Sequence, residues 1–313
     1  MKADDLYIAF APLQGYTDCV YRKAHFAAGG GVDEYYTPFV RMEGNEPRRK
    51  DLRDTEMSVC EGVPTVVQLI ARDESEFARL CDRMQSAGWD RIDLNLGCPF
   101  PMQVKSGRGC GLMLNINGLE KIEREMEHRK DVRFSVKMRL GQNTEEEGVA
   151  ALEIINSMPL VHLTLHPRLG CQQYKGLPDI EAFKQFSDIC QHPIVYNGDI
   201  LAIEDERLHI AGYEETVDLS SIKHLKGIML GRGLLARPWM FNSRDAHEVL
   251  RAIHEVFYAT ATKNLFGESQ ILSRLHSFWE YVDIERRTKK AILKTNSLRK
   301  YDLEVCKCLN ARW

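Results

Sequence analysis

Thr65-Val66-Val67-Gln68-Leu69-Ile70 is a short β-branched run, followed by Ser75 to Ala87, where Phe77, Leu80, Cys81 and Met84 recur at helical spacing, and then by Arg91-Ile92-Asp93-Leu94-Asn95. Apolar residues spaced three and four apart line one face of a helix, whereas a short unbroken apolar run reads as a buried strand. The segment is therefore a strand-helix-strand unit. Comparable runs stand at Tyr7 to Pro12, Glu34 to Phe39, Phe134 to Met138, Val161 to His166, Ile194 to Asn197 and Gly227 to Gly231. Their spacing is roughly thirty residues, the length of one such unit. Helical patterns fill the intervals at Gly118 to Glu127, Glu145 to Asn156 and Asp179 to Cys190. Eight units predict a closed parallel (β/α)8 TIM barrel. An open doubly wound sheet would carry fewer strands and a glycine fingerprint after the first, where this chain has Pro12-Leu13-Gln14-Gly15 and no G-x-G-x-x-G.

The strand pattern stops at about Asn242, and Ala246 to Thr260 and Gln270 to Lys290 read as two helices. The expected organisation is a barrel over 1–242 and an all-helical domain over 243–313, packed together because no low-complexity linker separates them. With 44% hydrophobic and 28% charged residues the chain can bury a sizeable core, which excludes wholesale disorder and a small stapled scaffold. No apolar run is long enough to cross a bilayer and no basic-then-apolar leader opens the chain, so a cytoplasmic protein without membrane contact is expected. The nine cysteines show no C-x-x-C pair, so reduced thiols and no metal are expected. The net charge of -3 hides a basic tail: Arg286, Arg287, Lys289, Lys290, Lys294, Arg299 and Lys300 lie close together.

In such barrels the active site is built where the strands end. The residues there are Gln14, Arg41, Gln68, Asn95 with Cys98, Lys137 with Arg139, His166 with Arg168, Asn197 with Asp199, and Arg232. Loops are polar anyway, but Gln68 and Lys137 sit inside apolar runs, where a buried polar group needs a partner. The turns Asn197-Gly198-Asp199 and Gly231-Arg232-Gly233 follow the seventh and eighth strands, the usual phosphate address of this fold, and suggest a phosphate-bearing cofactor. Cys98, in a Gly-Cys-Pro turn, is a candidate general acid, and the glycines and cations of Met102 to Leu114 suggest a mobile lid.

The ordered set of motifs resembles the dihydrouridine synthases, flavin enzymes that reduce uridines in RNA. It runs from Ala11-Pro12-Leu13-Gln14-Gly15-Tyr16-Thr17-Asp18 through Val67-Gln68-Leu69, Asp93 to Val104, Ser135 to Arg139, His166-Pro167-Arg168, Asn197-Gly198-Asp199-Ile200 and Gly231-Arg232-Gly233 to Phe241. The resemblance implies an FMN-bound barrel, NADPH or NADH as reductant, and a helical domain that grips tRNA. It places Pro12, Leu13 and Gln14 against the flavin ring, Gln68 and Lys137 at its polar edge, His166 in the lining of the flavin site, and Asn197, Gly198, Asp199, Gly231 and Arg232 at its phosphate end. It makes Cys98 the proton donor to C5 of a uracil that receives a hydride at C6, and Asn95 the residue that orients the base. Arg139 and Arg168, with Arg286, Arg287, Lys289 and Lys290 on the tail, are the expected substrate contacts. His166-Pro167-Arg168 departs from the family's His-Gly-Arg, and Leu13 from its usual Met; neither change removes a reacting group.

Two other readings compete. A barrel-type FMN reductase acting on a small enone or pyrimidine would share the phosphate site but would not need a basic helical appendage. A nucleic-acid-binding barrel that has lost catalysis would not need Gln68, Cys98, Lys137, His166 and Arg232 together. A monomer is expected.

Overall fold

The computed structural model describes residues 6–56 and 60–310. Eight parallel strands close a barrel: β1 Tyr7–Phe10, β2 Glu34–Tyr36, β3 Thr65–Leu69, β4 Arg91–Leu96, β5 Arg133–Gly141, β6 Leu160–Leu169, β7 Ile194–Tyr196 and β8 Leu225–Leu230. Each strand pairs with its neighbours in sequence, and β8 returns to β1 with Tyr7 opposite Gly227 and Phe10 opposite Leu230. All eight runs read from the sequence are strands of this barrel.

The chain divides into two compact units, residues 6–12 with 33–231 and residues 13–32 with 232–310. In the first unit α1 Glu74–Ser86 starts where the Asp73 side chain accepts from the Glu76 N–H, and it buries Phe77, Leu80, Cys81 and Met84. Two further helices of this unit, α2 Ile116–His128 and α3 Glu145–Ile155, are capped by Asn115 and by a Thr144/Glu147 capping box. The helix α4 Ile180–Ile189 is capped by Asp179.

The lumen is divided by chemistry. Ala9 from β1 and Ala11 just after it pack with Tyr36, Val66, Val195 and Met229 in one apolar cluster. Among the residues of the same parity on β3 to β6, Val66 belongs to this cluster, whereas Gln68, Asp93, Asn95, Ser135, Lys137, His162, Thr164 and His166 are polar. Side chains alternate along a strand, so this parity separates them from Leu94, Val136, Met138 and Leu163, which are fully buried on the other face. On the polar side Tyr36 Oη lies 2.9 Å from His162 Nε2, and Lys226 Nζ 3.1 Å from His162 Nδ1. The lysine donates, so the neutral ring carries its proton on Nε2; burial pushes the His162 pKa down to about 3.

The second unit is helical. It contains α5 Ala246–Asn264, α6 Glu268–Trp279, α7 Arg286–Leu293 and α8 Leu298–Asn310, together with a helix at Cys19–Ala27. Residues 13–32 belong here because their polar groups are committed here: Tyr16 Oη donates to Glu280 at 2.5 Å and Asp18 is ion-paired with Arg274. The ring of Tyr21 meets Phe257 and Phe278 at 6.3 and 6.1 Å. The single helix expected over Gln270 to Lys290 is broken. Between α6 and α7 the chain buries Val282 and turns the Asp283 N–H to the Ala236 carbonyl at 2.8 Å, a bond incompatible with a continuous helix. The helix α8 was not among the expected elements.

Among the described residues no helix is long and apolar enough to cross a membrane, no group of His, Cys, Asp and Glu is arranged to hold a metal ion, and all nine cysteines are free.

Candidate active site

The strand register aligns the polar lumen residues in rows. Gln68 stands opposite Asp93, Asp93 opposite Ser135, Asn95 opposite Lys137, Lys137 opposite Thr164, and Arg139 opposite His166. Neighbouring strands lie close enough for such rows to hydrogen-bond. The Ser135 hydroxyl donates to one Asp93 oxygen at 2.6 Å and Gln68 Nε2 to the other at 2.7 Å. Asn95 Nδ2 donates to Gln68 Oε1 at 2.7 Å, and Asn95 Oδ1 accepts the main-chain N–H groups of Gly97 at 3.0 Å and Cys98 at 2.9 Å. Burial raises the Asp93 pKa to about 6, opposed by Ser135, Gln68 and Lys137, so the carboxyl is ionised at neutral pH.

Cys98 is 6% exposed. Burial pushes its thiol pKa up, while the Phe100 N–H, Arg139 and Arg41 pull the other way. The result is a protonated thiol at neutral pH, suited to give a proton and not to attack as a thiolate. The segment after it is held in place. It folds as short helices at Pro101–Lys105 and Cys110–Met113, and between them Arg108 donates to the buried Glu76 through Nε at 3.0 Å and Nη2 at 2.6 Å. The Cys110 N–H donates to the Cys98 carbonyl at 3.1 Å, so the stretch expected to form a mobile lid is anchored at both of these points.

Lys137 Nζ donates to Asn197 Oδ1 at 2.7 Å, and Asn197 Nδ2 donates to the Met229 carbonyl at 2.7 Å. Burial lowers the Lys137 pKa to about 8, with Arg139 adding to the shift and Asp93 opposing it. No carboxylate lies within ion-pair distance of this ammonium among the described residues, and the adjacent Thr164 hydroxyl is buried without a hydrogen-bond partner. A partly buried cation with unused donors beside a partnerless hydroxyl suits an anionic or acceptor-rich ligand.

Arg168 is 1% exposed and bonds His166 Nε2 at 3.0 Å, the Gly176 carbonyl at 2.8 Å and the Asp199 carboxylate. A guanidinium can only donate, so His166 accepts at Nε2 and the neutral ring carries its proton on Nδ1. Asp199 itself adopts φ +44°, a left-handed conformation uncommon outside glycine, and its ion pair with Arg168 helps to hold it there. Arg139 is buried as well, its Nε on the Gly97 carbonyl at 3.1 Å, its Nη1 on the Leu169 carbonyl at 3.0 Å and its guanidinium 5.6 Å from the Tyr174 ring centre. Arg139 thus ties the Gly97-Cys98 turn to the Leu169 carbonyl at the end of β6, and Arg168 ties Asp199 to the Gly176 carbonyl.

The barrel unit therefore brings together Gln68, Asn95, Cys98, Lys137, Arg139, His166, Arg168, Asn197, Gly198 and Asp199, with Pro12 and Gly231 at its boundaries. Leu13, Gln14 and Arg232 fall in the second unit, as do Arg286, Arg287, Lys289 and Lys290 on α7. Arg286, Arg287 and Lys290 are exposed and Lys289 is half-buried, and none of the four is ion-paired among the described residues. By contrast, Arg41 and Arg48 in the barrel unit are both tied to Asp51. The sequence reading missed Asp93, although it lies inside an apolar run as Gln68 does. It also missed the Glu76 anchor, for which a carboxylate in the first turn of an amphipathic helix gives no signal.

A family profile described as dihydrouridine synthase (Dus) matches residues 9–303. A protein of Rickettsia bellii named "Probable tRNA-dihydrouridine synthase" is 27% identical over 241 residues, covering 76% of this chain and 70% of its own length. A "tRNA-dihydrouridine(16) synthase" of Pseudomonas putida is 29% identical over 244 residues, 74% of this chain and 71% of that one. A "tRNA-dihydrouridine(47) synthase [NAD(P)(+)]-like" protein of Xenopus tropicalis is 31% identical over 239 residues, which are 66% of this chain and 35% of the longer relative. With a profile match across nearly its whole length, on a barrel whose strand ends carry the motifs described above, the chain belongs to the dihydrouridine synthase family.

Proposed function

We propose that the protein reduces the C5–C6 double bond of uridines in tRNA, with FMN as cofactor and NADPH or NADH as reductant. The observation that carries this reading is the protonated, buried thiol of Cys98, whose main chain is held just past the end of β4 by the Asn95 amide, and Asn95 stands opposite Lys137 in the strand register. FMN fits the donors present: the Lys137 ammonium has two unused protons, Thr164 an unsatisfied hydroxyl, and the Asn197-Gly198-Asp199 turn follows β7 where this fold favours phosphate. Bound there, the flavin would supply the hydride that adds to C6.

The residues of the chain do the rest. Cys98 gives its proton to C5, and burial keeps that proton on sulfur until a base arrives. Asn95, with one amide N–H on Gln68, has a second to offer the uracil. Lys137 stabilises negative charge at its edge of the site. Arg139 and Arg168 serve the substrate by bracing the loops that meet it. Pro12, Leu13, Gln14, Gly231 and Arg232 complete the cofactor set by family likeness. The uridine must leave its stack, at a cost of a few kcal/mol in RNA. The cations of α7 would grip phosphates, which a small-molecule reductase would not need.

The test is Cys98→Ala. The purified variant should keep bound flavin, seen by its visible absorption, while mass spectrometry of tRNA from a deletion strain carrying it shows no restored dihydrouridine. Full restoration would remove Cys98 from the reaction.

A further inference from the structure

Asp93 touches neither Cys98 nor any group assigned to substrate, yet the polarity of the site begins with it. A carboxylate only accepts hydrogen bonds, so Gln68 must present Nε2 to it, at 2.7 Å. That choice leaves Gln68 Oε1 toward Asn95, which must answer with Nδ2, at 2.7 Å. Asn95 Oδ1 is then the atom left for the N–H groups of Gly97 and Cys98, at 3.0 and 2.9 Å. Turning either amide by half a revolution would set oxygen against oxygen or N–H against N–H. Ser135 Oγ, at 2.6 Å, occupies the second carboxylate oxygen and stops it from swinging. Gln68 and Asp93 are fully buried, Ser135 is 2% and Asn95 8% exposed, so bulk water does not substitute for a lost partner.

We propose that Asp93 is a positioning residue: its carboxylate fixes the orientation of two successive amides, Gln68 and Asn95, and through them the conformation of the Gly97-Cys98 turn. The geometric claim stands on this chain of hydrogen bonds alone; its consequence for proton delivery rests on the role of Cys98 proposed above.

The proposal makes a specific demand on exchanged partners. Asp93→Leu removes the acceptor and leaves both amides without a fixed direction. The pair Asp93→Asn with Gln68→Glu exchanges carboxylate and amide between the two strands. The amide introduced on β4 then donates to the carboxylate introduced on β3, that carboxylate accepts from Asn95 Nδ2, and Asn95 keeps its oxygen on the turn. Hydrogen exchange of Gly97 and Cys98, and alkylation of Cys98 by iodoacetamide followed on its own peptide, report the turn without requiring activity. Asp93→Leu should speed exchange at these two amides by about tenfold or more, the factor expected when a buried hydrogen bond of this kind is lost, and should raise Cys98 alkylation several-fold. The exchanged pair should stay within about threefold of the parent in both.

A folded Asp93→Leu protein with unchanged exchange and alkylation would overturn the proposal. So would an exchanged pair that leaves the turn unprotected or does not fold; if the leucine variant fails to fold, the exchanged pair decides by itself. Protection that follows the expected pattern in a protein whose Cys98→Ala variant still restores dihydrouridine would keep the positioning role and remove the function proposed for the thiol.

Discussion

Replacing Arg108 by methionine tests whether the segment beyond Cys98 is anchored by charge. Glu76 is 1% exposed, and its carboxylate holds Arg108 through two bonds of 3.0 and 2.6 Å. Its other partners are the Arg72 main-chain N–H at 3.2 Å and the half-exposed Arg72 Nε at 3.1 Å. Removing one partner of a buried pair costs about 3–5 kcal/mol when the remaining charge has nothing else. Arg72 stays, and an exposed pairing is worth up to about 1 kcal/mol, so Arg108→Met should cost about 2–3 kcal/mol. The loss should be local. Hydrogen exchange under native conditions should rise in the first turn of α1 and across Cys110–Met113, because the Cys110 N–H reaches the Cys98 carbonyl two residues beyond Arg108. Replacing both partners, Arg108→Met with Glu76→Met, should recover most of the stability in a urea titration, since two apolar groups leave no stranded charge. A single variant within about 0.5 kcal/mol of the parent, or a double variant no better than the single, would refute the anchoring argument.

Lys137 gives a pH signature. Its pKa of about 8 lies below the ordinary 10.5, so between these values the unfolded chain binds more protons and stability rises with pH. Lys137→Met should flatten that rise by about 2–3 kcal/mol in urea titrations from pH 8 to 10.5, and identical slopes would remove the shift. Gly109→Ala should destabilise by about 2–4 kcal/mol, because the residue has a left-handed backbone and an added Cβ would lie 2.6 Å from the Cys98 carbonyl oxygen; an unchanged melting temperature would contradict this. Reversing Arg286, Arg287 and Lys290 to glutamate should weaken tRNA binding and lower the log–log salt slope by about 2–3, with helicity unchanged by circular dichroism. Binding that keeps its salt dependence would move the RNA track off α7.

The barrel was legible because its signal is periodic. Each run from Tyr7 to Gly231 needed only local apolar patterning, and Phe77, Leu80, Cys81 and Met84 name the buried stripe of α1 correctly. What was hidden depends on partners far along the chain. Residues 13–32 follow β1 in sequence, yet Tyr16 and Asp18 bond Glu280 and Arg274, 264 and 256 positions away. The break after Trp279 depends on a carbonyl at Ala236, which no helix propensity registers. Arg108 among glycines reads as a flexible loop until the buried Glu76, 32 residues upstream, is placed beside it. At the site, the chemical types of Gln68, Asn95, Cys98 and Lys137 could be read, but the direction of each amide could not, because Asp93 sets it across strands.

The division of the lumen has a consequence for how this sequence tolerates drift. Ala9, Ala11, Val66, Val195 and Met229 of the apolar cluster have no hydrogen-bonding side-chain group to satisfy, so substitutions there that conserve volume should survive in a saturation library. Gln68, Asp93, Asn95, Ser135, Lys137, His162 and His166 each have a hydrogen-bond partner, and single changes there should be purged while paired exchanges are recovered. One wall of the barrel would then vary freely by size, and the facing wall only in correlated steps.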